Sequence, residues 1–168
     1  MSIDMPSITP RERAHAIGTG AVLGLVGMSA YHLPITKNRF VRNSYDIVKD
    51  NAKNDIEMLD EAALAISGNN LKNEHKLFLK QMGVSESVDS INSKVVELKK
   101  TLTDPDTVKQ MKEGFLENFK NFKKSEALVD PISIKALQKI RWTNFTWGAV
   151  IGFVLGNVIS MRMDDPRK

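Results

Sequence analysis

The sequence predicts an all-α protein in which two glycine-rich transmembrane helices at the chain ends flank a helical bundle of about four amphipathic helices. Two uncharged apolar segments carry small residues four positions apart, and the apolar residues of the charged middle recur every three or four positions. No stretch shows the alternation typical of a strand. We predict a polar tail at 1–13, a transmembrane helix at 14–32, the bundle at 37–141, a second transmembrane helix at 142–161 and a C-terminal tail at 162–168.

The first apolar segment, Ala14–Tyr31, is 18 residues long and contains no Asp, Glu, Lys or Arg. It follows Arg11 and Arg13 and closes ahead of Pro34. A helix of about 17 to 20 apolar residues crosses a bilayer core, and cationic or aromatic flanks favour the headgroup region. The segment therefore predicts a membrane-spanning helix.

The middle of the chain begins with three predicted helices. Apolar positions spaced by threes and fours run from Val41 to Ile66, and this helix ends at Gly68. A short helix over about 71–82 stops at Gly83, and a regular seam of apolar residues follows over 84–102. Packing inside a bundle suits a seam of under three heptads.

Two Asp-Pro pairs predict the next two helix starts. Asp104 as N-cap with Pro105 at the first helical position opens one helix, and Asp130 with Pro131 opens another. The first carries the stripe Phe115, Phe119 and Phe122 among lysines. We interpret this stripe as a core face with a basic outer side, and a membrane surface or partner groove is the alternative.

The last helix is predicted to run unbroken from about Pro131 into the second apolar segment, Trp142–Met161. This segment is 20 residues long and uncharged, and it lies between Arg141 and Arg162. Its length and flanks again predict a span.

Small residues at intervals of four mark both segments. In water each glycine inside a helix costs about 1 kcal/mol relative to alanine, whereas in lipid such a stripe lets two helix backbones approach closely. The predicted helix-packing residues are Ala16, Gly20 and Gly24 in the first segment and Gly148, Gly152 and Gly156 in the second.

Two other interpretations of the apolar segments stay open. Both could form the core of a soluble bundle, although glycine lacks the bulk that a core needs. The first could be a cleaved signal peptide with Gly27-Met28-Ser29 as a small-x-small site, although its leader is long and contains Asp4 and Glu12.

Charge and composition exclude several classes of partner and chemistry. The stretch 37–141 holds 19 of the 24 Lys and Arg and 16 of the 20 Asp and Glu, so the pI of about 9.3 reflects a small excess and predicts no nucleic-acid partner. The absence of cysteine excludes disulfides, thiolate zinc sites and cysteine nucleophiles.

No catalytic, cofactor-binding or metal-binding motif is present in the sequence. His15 and His32 flank the first predicted span and would lie at opposite membrane faces, and His75 has no second histidine at helical spacing. The glycine-rich run lacks the Gly-Lys-Ser/Thr of a phosphate loop. We therefore predict no enzyme activity, no cofactor and no metal.

These observations favour a two-pass membrane protein that acts as a helical scaffold or interaction protein. The partners expected are membrane lipid and, through the bundle, a second copy or another protein. The alternatives are a membrane-active or pore-forming oligomer built on the glycine stripes and an enzyme with no recognisable motif.

Overall fold

The computed structural model describes residues 9–122 and 130–163, and within them the prediction of an all-α protein is confirmed. These residues form six helices and contain no strand. The helices are α1 (Pro10–Tyr31), α2 (Lys37–Ser67), α3 (Asn73–Gln81), α4 (Val88–Thr103), α5 (Pro105–Phe122) and α6 (Pro131–Met163). Residues 1–8 and 164–168 of the predicted tails lie outside the described residues.

The chain divides into two compact units. One combines Met1–Ile35 with Leu137–Lys168, and the other is Thr36–Ala136. One boundary follows α1 and the other falls within α6.

Helix α1 begins four residues before the apolar run, at Pro10. Thr9 caps it, because its side chain accepts a hydrogen bond from the Glu12 backbone N–H while the Glu12 carboxylate accepts one from the Thr9 backbone N–H at 2.7 Å. This reciprocal pair satisfies two N–H groups at the helix start, so the helix includes part of the predicted polar tail.

In the Thr36–Ala136 unit, α2 packs against α3, α4 and α5, and α4 packs against α5. Leu59, Leu79 and Ile91 are fully buried at the centre of one core cluster. At the other end of α2, Phe40 and Phe119 lie with their ring centroids 5.2 Å apart. The interpretation of the phenylalanine stripe of α5 as a core face is confirmed for Phe115 and Phe119, which are both buried, whereas Phe122 is half-buried.

The helix ends follow local chemistry. Gly83 has φ +66°, a backbone conformation that glycine adopts without strain, shortly after α3 ends. Helix α4 begins at Val88 rather than near Val84, because the Ser87 side chain accepts from the Ser90 N–H and caps the helix there. Val84 is nevertheless buried, in the connection before α4.

Both Asp-Pro starts are confirmed. The Asp104 carboxylate accepts hydrogen bonds from the Thr107 hydroxyl (2.6 Å) and the Thr107 backbone N–H (2.9 Å), and both bonds lower the pKa of this carboxyl. The contribution of this cap to stability is therefore present above the ordinary aspartate pKa and is lost as the pH falls through the lowered one. Asp130 accepts from the backbone N–H groups of Ile132 and Ser133 in the same way.

We expect a fragment spanning Thr36–Ala136 to be soluble, monomeric or weakly associated, and strongly helical by circular dichroism. It contains the buried cluster around Leu59 and Ile91, and a chain of about 100 residues can bury a core of its own. A random-coil spectrum would contradict this expectation.

Candidate functional sites

The three glycines predicted on α6 face α1 at very short range. A Cβ atom added to Gly152 would lie 2.7 Å from the Leu23 Cα, and one added to Gly156 would lie 2.9 Å from the Thr19 Cα. At Gly148 an added Cβ would meet the Ala30 side chain and approach the Val26 carbonyl oxygen to 2.8 Å. Only glycine permits the backbones of α1 and α6 to lie this close, which is the use of a small-residue stripe in helix packing.

The stripe predicted on α1 lies elsewhere. An added Cβ would meet nothing within 4 Å at Gly20 or Gly24, and Ala16 is exposed. The structure therefore brings the α6 stripe together with α1, but not through Ala16, Gly20 and Gly24. The residues of α1 that contact the α6 glycines are Thr19, Val22, Leu23, Val26, Gly27 and Ala30.

Sequence reasoning missed Gly27, which faces the Phe145 ring with an added Cβ 2.9 Å from its Cε2 atom. Gly27 and Thr19 are eight positions apart, and Leu23 stands between them where a regular small-residue stripe would have a small side chain. Small residues occur on several faces of α1, so their spacing alone does not identify the face that packs.

Most large apolar side chains of the helix pair are exposed, and its fully buried positions along the predicted spans are small or polar. The buried positions are Thr19, Gly27, Asn144 and the three α6 stripe glycines, Gly148, Gly152 and Gly156. The exposed large hydrophobic residues are Ile17, Leu25, Met28, Trp142, Trp147, Val150, Ile151, Phe153, Val154, Leu155, Val158 and Ile159, each between 45% and 72% exposed. This arrangement is the reverse of a helical hairpin in water.

Aromatic side chains gather at one end of the pair. The Tyr31 and Trp142 ring centroids lie 5.9 Å apart edge to face, and Trp142 also contacts Phe145 at 5.5 Å. The Arg141 guanidinium carbon lies 5.9 Å from the Tyr31 ring centroid. Tyrosine, tryptophan and arginine are enriched where a spanning helix meets the headgroups.

By length and composition, one helix in the described ranges could cross a membrane. It is the stretch Arg11–Tyr31 near the N-terminus, with a mean hydropathy of 1.2, and 11% of its most apolar window is buried. No second helix among the described residues meets the same limits, so the second predicted span stays a prediction.

The Thr36–Ala136 unit carries an open groove of about 730 Å³ between α2 and α5. The two helices run antiparallel here, since Phe40 lies opposite Phe119 while Tyr45 lies near Lys112. Helix α2 contributes Lys37, Asn38, Val41, Arg42 and Tyr45. Helix α5 and its start contribute Pro105, Val108, Lys109, Lys112, Glu113 and Leu116.

Tyr45, at one end of the groove, contacts both the end of α4 and the α5 side of the groove. Its hydroxyl donates a hydrogen bond of 3.2 Å to the Leu102 carbonyl oxygen, and the Lys112 ammonium lies 5.1 Å from its ring centroid. Arg42 lies 3.9 Å from Asp46 at the groove edge, an exposed pair of small energetic value.

The described residues hold no candidate metal centre. Among them no group of three or more His, Asp and Glu side chains is close enough to hold a metal ion. His15 and His32 stand at opposite ends of α1, and His75 lies on α3.

In comparisons with known proteins, no family model, curated protein or solved structure matches this chain.

Proposed function

We propose that the protein is a two-pass membrane protein in which α1 and the second half of α6 span the bilayer and the Thr36–Ala136 unit serves as a scaffold for other proteins. The observation that carries this proposal is the reversed polarity of the helix pair. Glycines and Thr19 are the fully buried residues of the contact, while most large apolar side chains, such as Leu25 and Phe153, are exposed.

Lipid accounts for this pattern and water does not. Burying one Leu, Ile, Val, Phe or Met side chain is worth about 1.5–3 kcal/mol, so leaving ten such side chains exposed on two helices would be costly in water. In lipid the outward side chains are solvated by acyl chains, and helix association depends on close backbone packing instead. With only 11% of its apolar window buried, α1 does not resemble the core helix of a soluble protein.

The lengths and ends of the pair support two spans. The uncharged segments of 18 and 20 residues correspond to about 27 and 30 Å of helix, close to the thickness of a bilayer core. The cluster of Tyr31, Trp142 and Arg141 at one end has the composition of a headgroup belt. The 35 charged residues between 37 and 141 require water.

Membrane recovery tests the proposal. The protein is expected to stay with membranes through carbonate and high-salt washes and to require detergent for release, since salt screens electrostatic adsorption but not insertion. Recovery in the wash supernatant would contradict the two spans.

Topology is the second readout of the same proposal. Two spans place both termini on one side, so protease added to sealed vesicles should remove tags at both ends or at neither. Removal of one tag alone would mean that one helix does not span. An N-terminal tag absent from the mature protein would instead favour a cleaved signal peptide.

The alternative of a pore-forming oligomer requires polar side chains along an outward face of the pair. The outward residues between 148 and 159 are mainly apolar, and Thr19 faces Gly156 inside the pair. Release of a trapped dye from vesicles that contain the purified protein would favour this alternative.

A further inference from the structure

The groove between α2 and α5 has the pattern of an unfilled helix position in a bundle. Val41 and Tyr45 lie four positions apart on α2, and Val108 and Leu116 lie eight apart on α5, so on each helix the apolar lining residues repeat at helical spacing. All four are only partly buried. The groove thus presents two apolar rows that no part of the described chain covers.

Packing of α2 explains why these rows are left open. Phe40 and Ser44 are completely buried, whereas Val41 and Tyr45, one position further along, are only half-buried. One residue corresponds to a rotation of about 100° in a helix. The first turns of α2 therefore have two adjacent apolar faces, one closed by Phe119 and one facing the groove.

The charge of the groove defines the chemistry of its occupant. Lys37, Arg42, Lys109 and Lys112 line it, with Glu113 as the single carboxylate among the lining residues. Charges beside an apolar seam select a partner of opposite charge. An occupant that carries carboxylates on both sides of an apolar stripe would be complementary.

We propose that this groove receives an amphipathic helix of a partner protein, with apolar residues at i, i+3 or i+4, and i+7 and with Asp or Glu on either side. This proposal rests on the scaffold function proposed above and names the partner surface of that unit. The lining residues extend about 12 Å along α2 and about 16 Å along α5, which is the length of two to three turns of a docked helix. The groove is open to solvent, which a docking helix requires, whereas a pocket for an acyl chain would be enclosed.

The test uses the full chain in detergent and a labelled synthetic peptide of 18 residues. The peptide has leucine on one helical face, glutamate on both flanks and alanine elsewhere, and a second peptide has lysine in place of every glutamate. Fluorescence anisotropy should detect saturable binding of the glutamate peptide and weaker binding of the lysine peptide.

Reversal of the groove charge should reverse this preference. We expect Lys109→Glu with Lys112→Glu to weaken binding of the glutamate peptide by roughly tenfold or more and to strengthen binding of the lysine peptide. The matched control is Lys49→Glu with Lys99→Glu, which makes the same change of charge at exposed positions outside the groove and should retain the original preference. Because the reversed variant must gain binding, loss of folding cannot imitate the result.

Three outcomes would overturn the proposal. They are equal binding of both peptides, the same effect from the control variant, and a groove variant that loses binding to anionic phospholipid vesicles while its peptide preference is unchanged. The last would assign the groove to a lipid headgroup. Recovery of the protein in the wash supernatant would contradict the two membrane spans without altering the peptide result, so the two proposals fail separately.

Discussion

Replacing both Gly148 and Gly152 by leucine is expected to separate α6 from α1 while leaving both helices in the membrane. Even the Cβ at Gly152 would approach the Leu23 Cα to 2.7 Å, and backbone atoms cannot move aside as a flexible side chain can. Overpacking of this kind costs about 3 kcal/mol or more, since the close contact along the whole stripe is lost. Leucine favours insertion into lipid, so membrane recovery should be unchanged.

The matched control is leucine at Gly20 and Gly24, where an added Cβ meets nothing within 4 Å. The protein has no cysteine, so Tyr31→Cys with Trp142→Cys supplies a unique thiol pair at the aromatic contact between the helices. A short bifunctional thiol reagent should join this pair in the parent chain and in the Gly20 and Gly24 variant, but not in the Gly148 and Gly152 variant. Equal crosslinking in both glycine variants would contradict the packing described here.

Placing lysine at both Ile151 and Val154 is expected to abolish stable membrane integration. Both side chains are about half exposed on the outer face of α6, near the middle of the uncharged segment. Lysine at the centre of a spanning helix costs about 2.5–3.5 kcal/mol, so the two substitutions together oppose insertion by roughly 6 kcal/mol. The measurement is the fraction of protein that resists a carbonate wash.

Lysine at Leu64 and Val96 provides the control, because these side chains are 74% and 64% exposed on α2 and α4. Their replacement should leave membrane recovery and helicity as they are. Two results would show that the outer face of α6 does not contact lipid. One is that the Ile151 and Val154 variant resists the carbonate wash as the parent protein does. The other is that the parent protein is itself soluble and well folded without detergent.

Local chemistry explains which elements could be predicted from the sequence. The Asp-Pro pairs at 104 and 130 place the starts of α5 and α6 correctly, because an N-cap and a proline at the first helical position act within one turn. The apolar run predicts too late a start for α1, since the capping pair of Thr9 and Glu12 lies outside that run. Periodicity predicts that Val84 belongs to α4, but it is a buried residue of the connection before the Ser87 cap.

Contacts between helices explain the rest. Periodicity predicts that Val41 and Tyr45 lie on the buried face of α2. In the first turns of the helix, however, the fully buried residues are Phe40 and Ser44, each one position earlier in the sequence. A step of one residue turns a helix by about 100°, and the surrounding helices decide which of two adjacent apolar faces they cover. The face left uncovered forms the groove to which we assign a partner helix.

The sequence by itself determined the helices, the charged middle, the uncharged ends and the glycine stripe of α6, because propensity, capping and apolar periodicity act over a few neighbouring residues. Only the tertiary structure decided which face of α1 that stripe contacts. Gly20 and Gly24 have the same spacing as Gly148 and Gly152, yet Thr19, Leu23 and Gly27 make the contact. Small side chains permit close approach on any face that carries them, and which face is used depends on how the surfaces of two whole helices fit together.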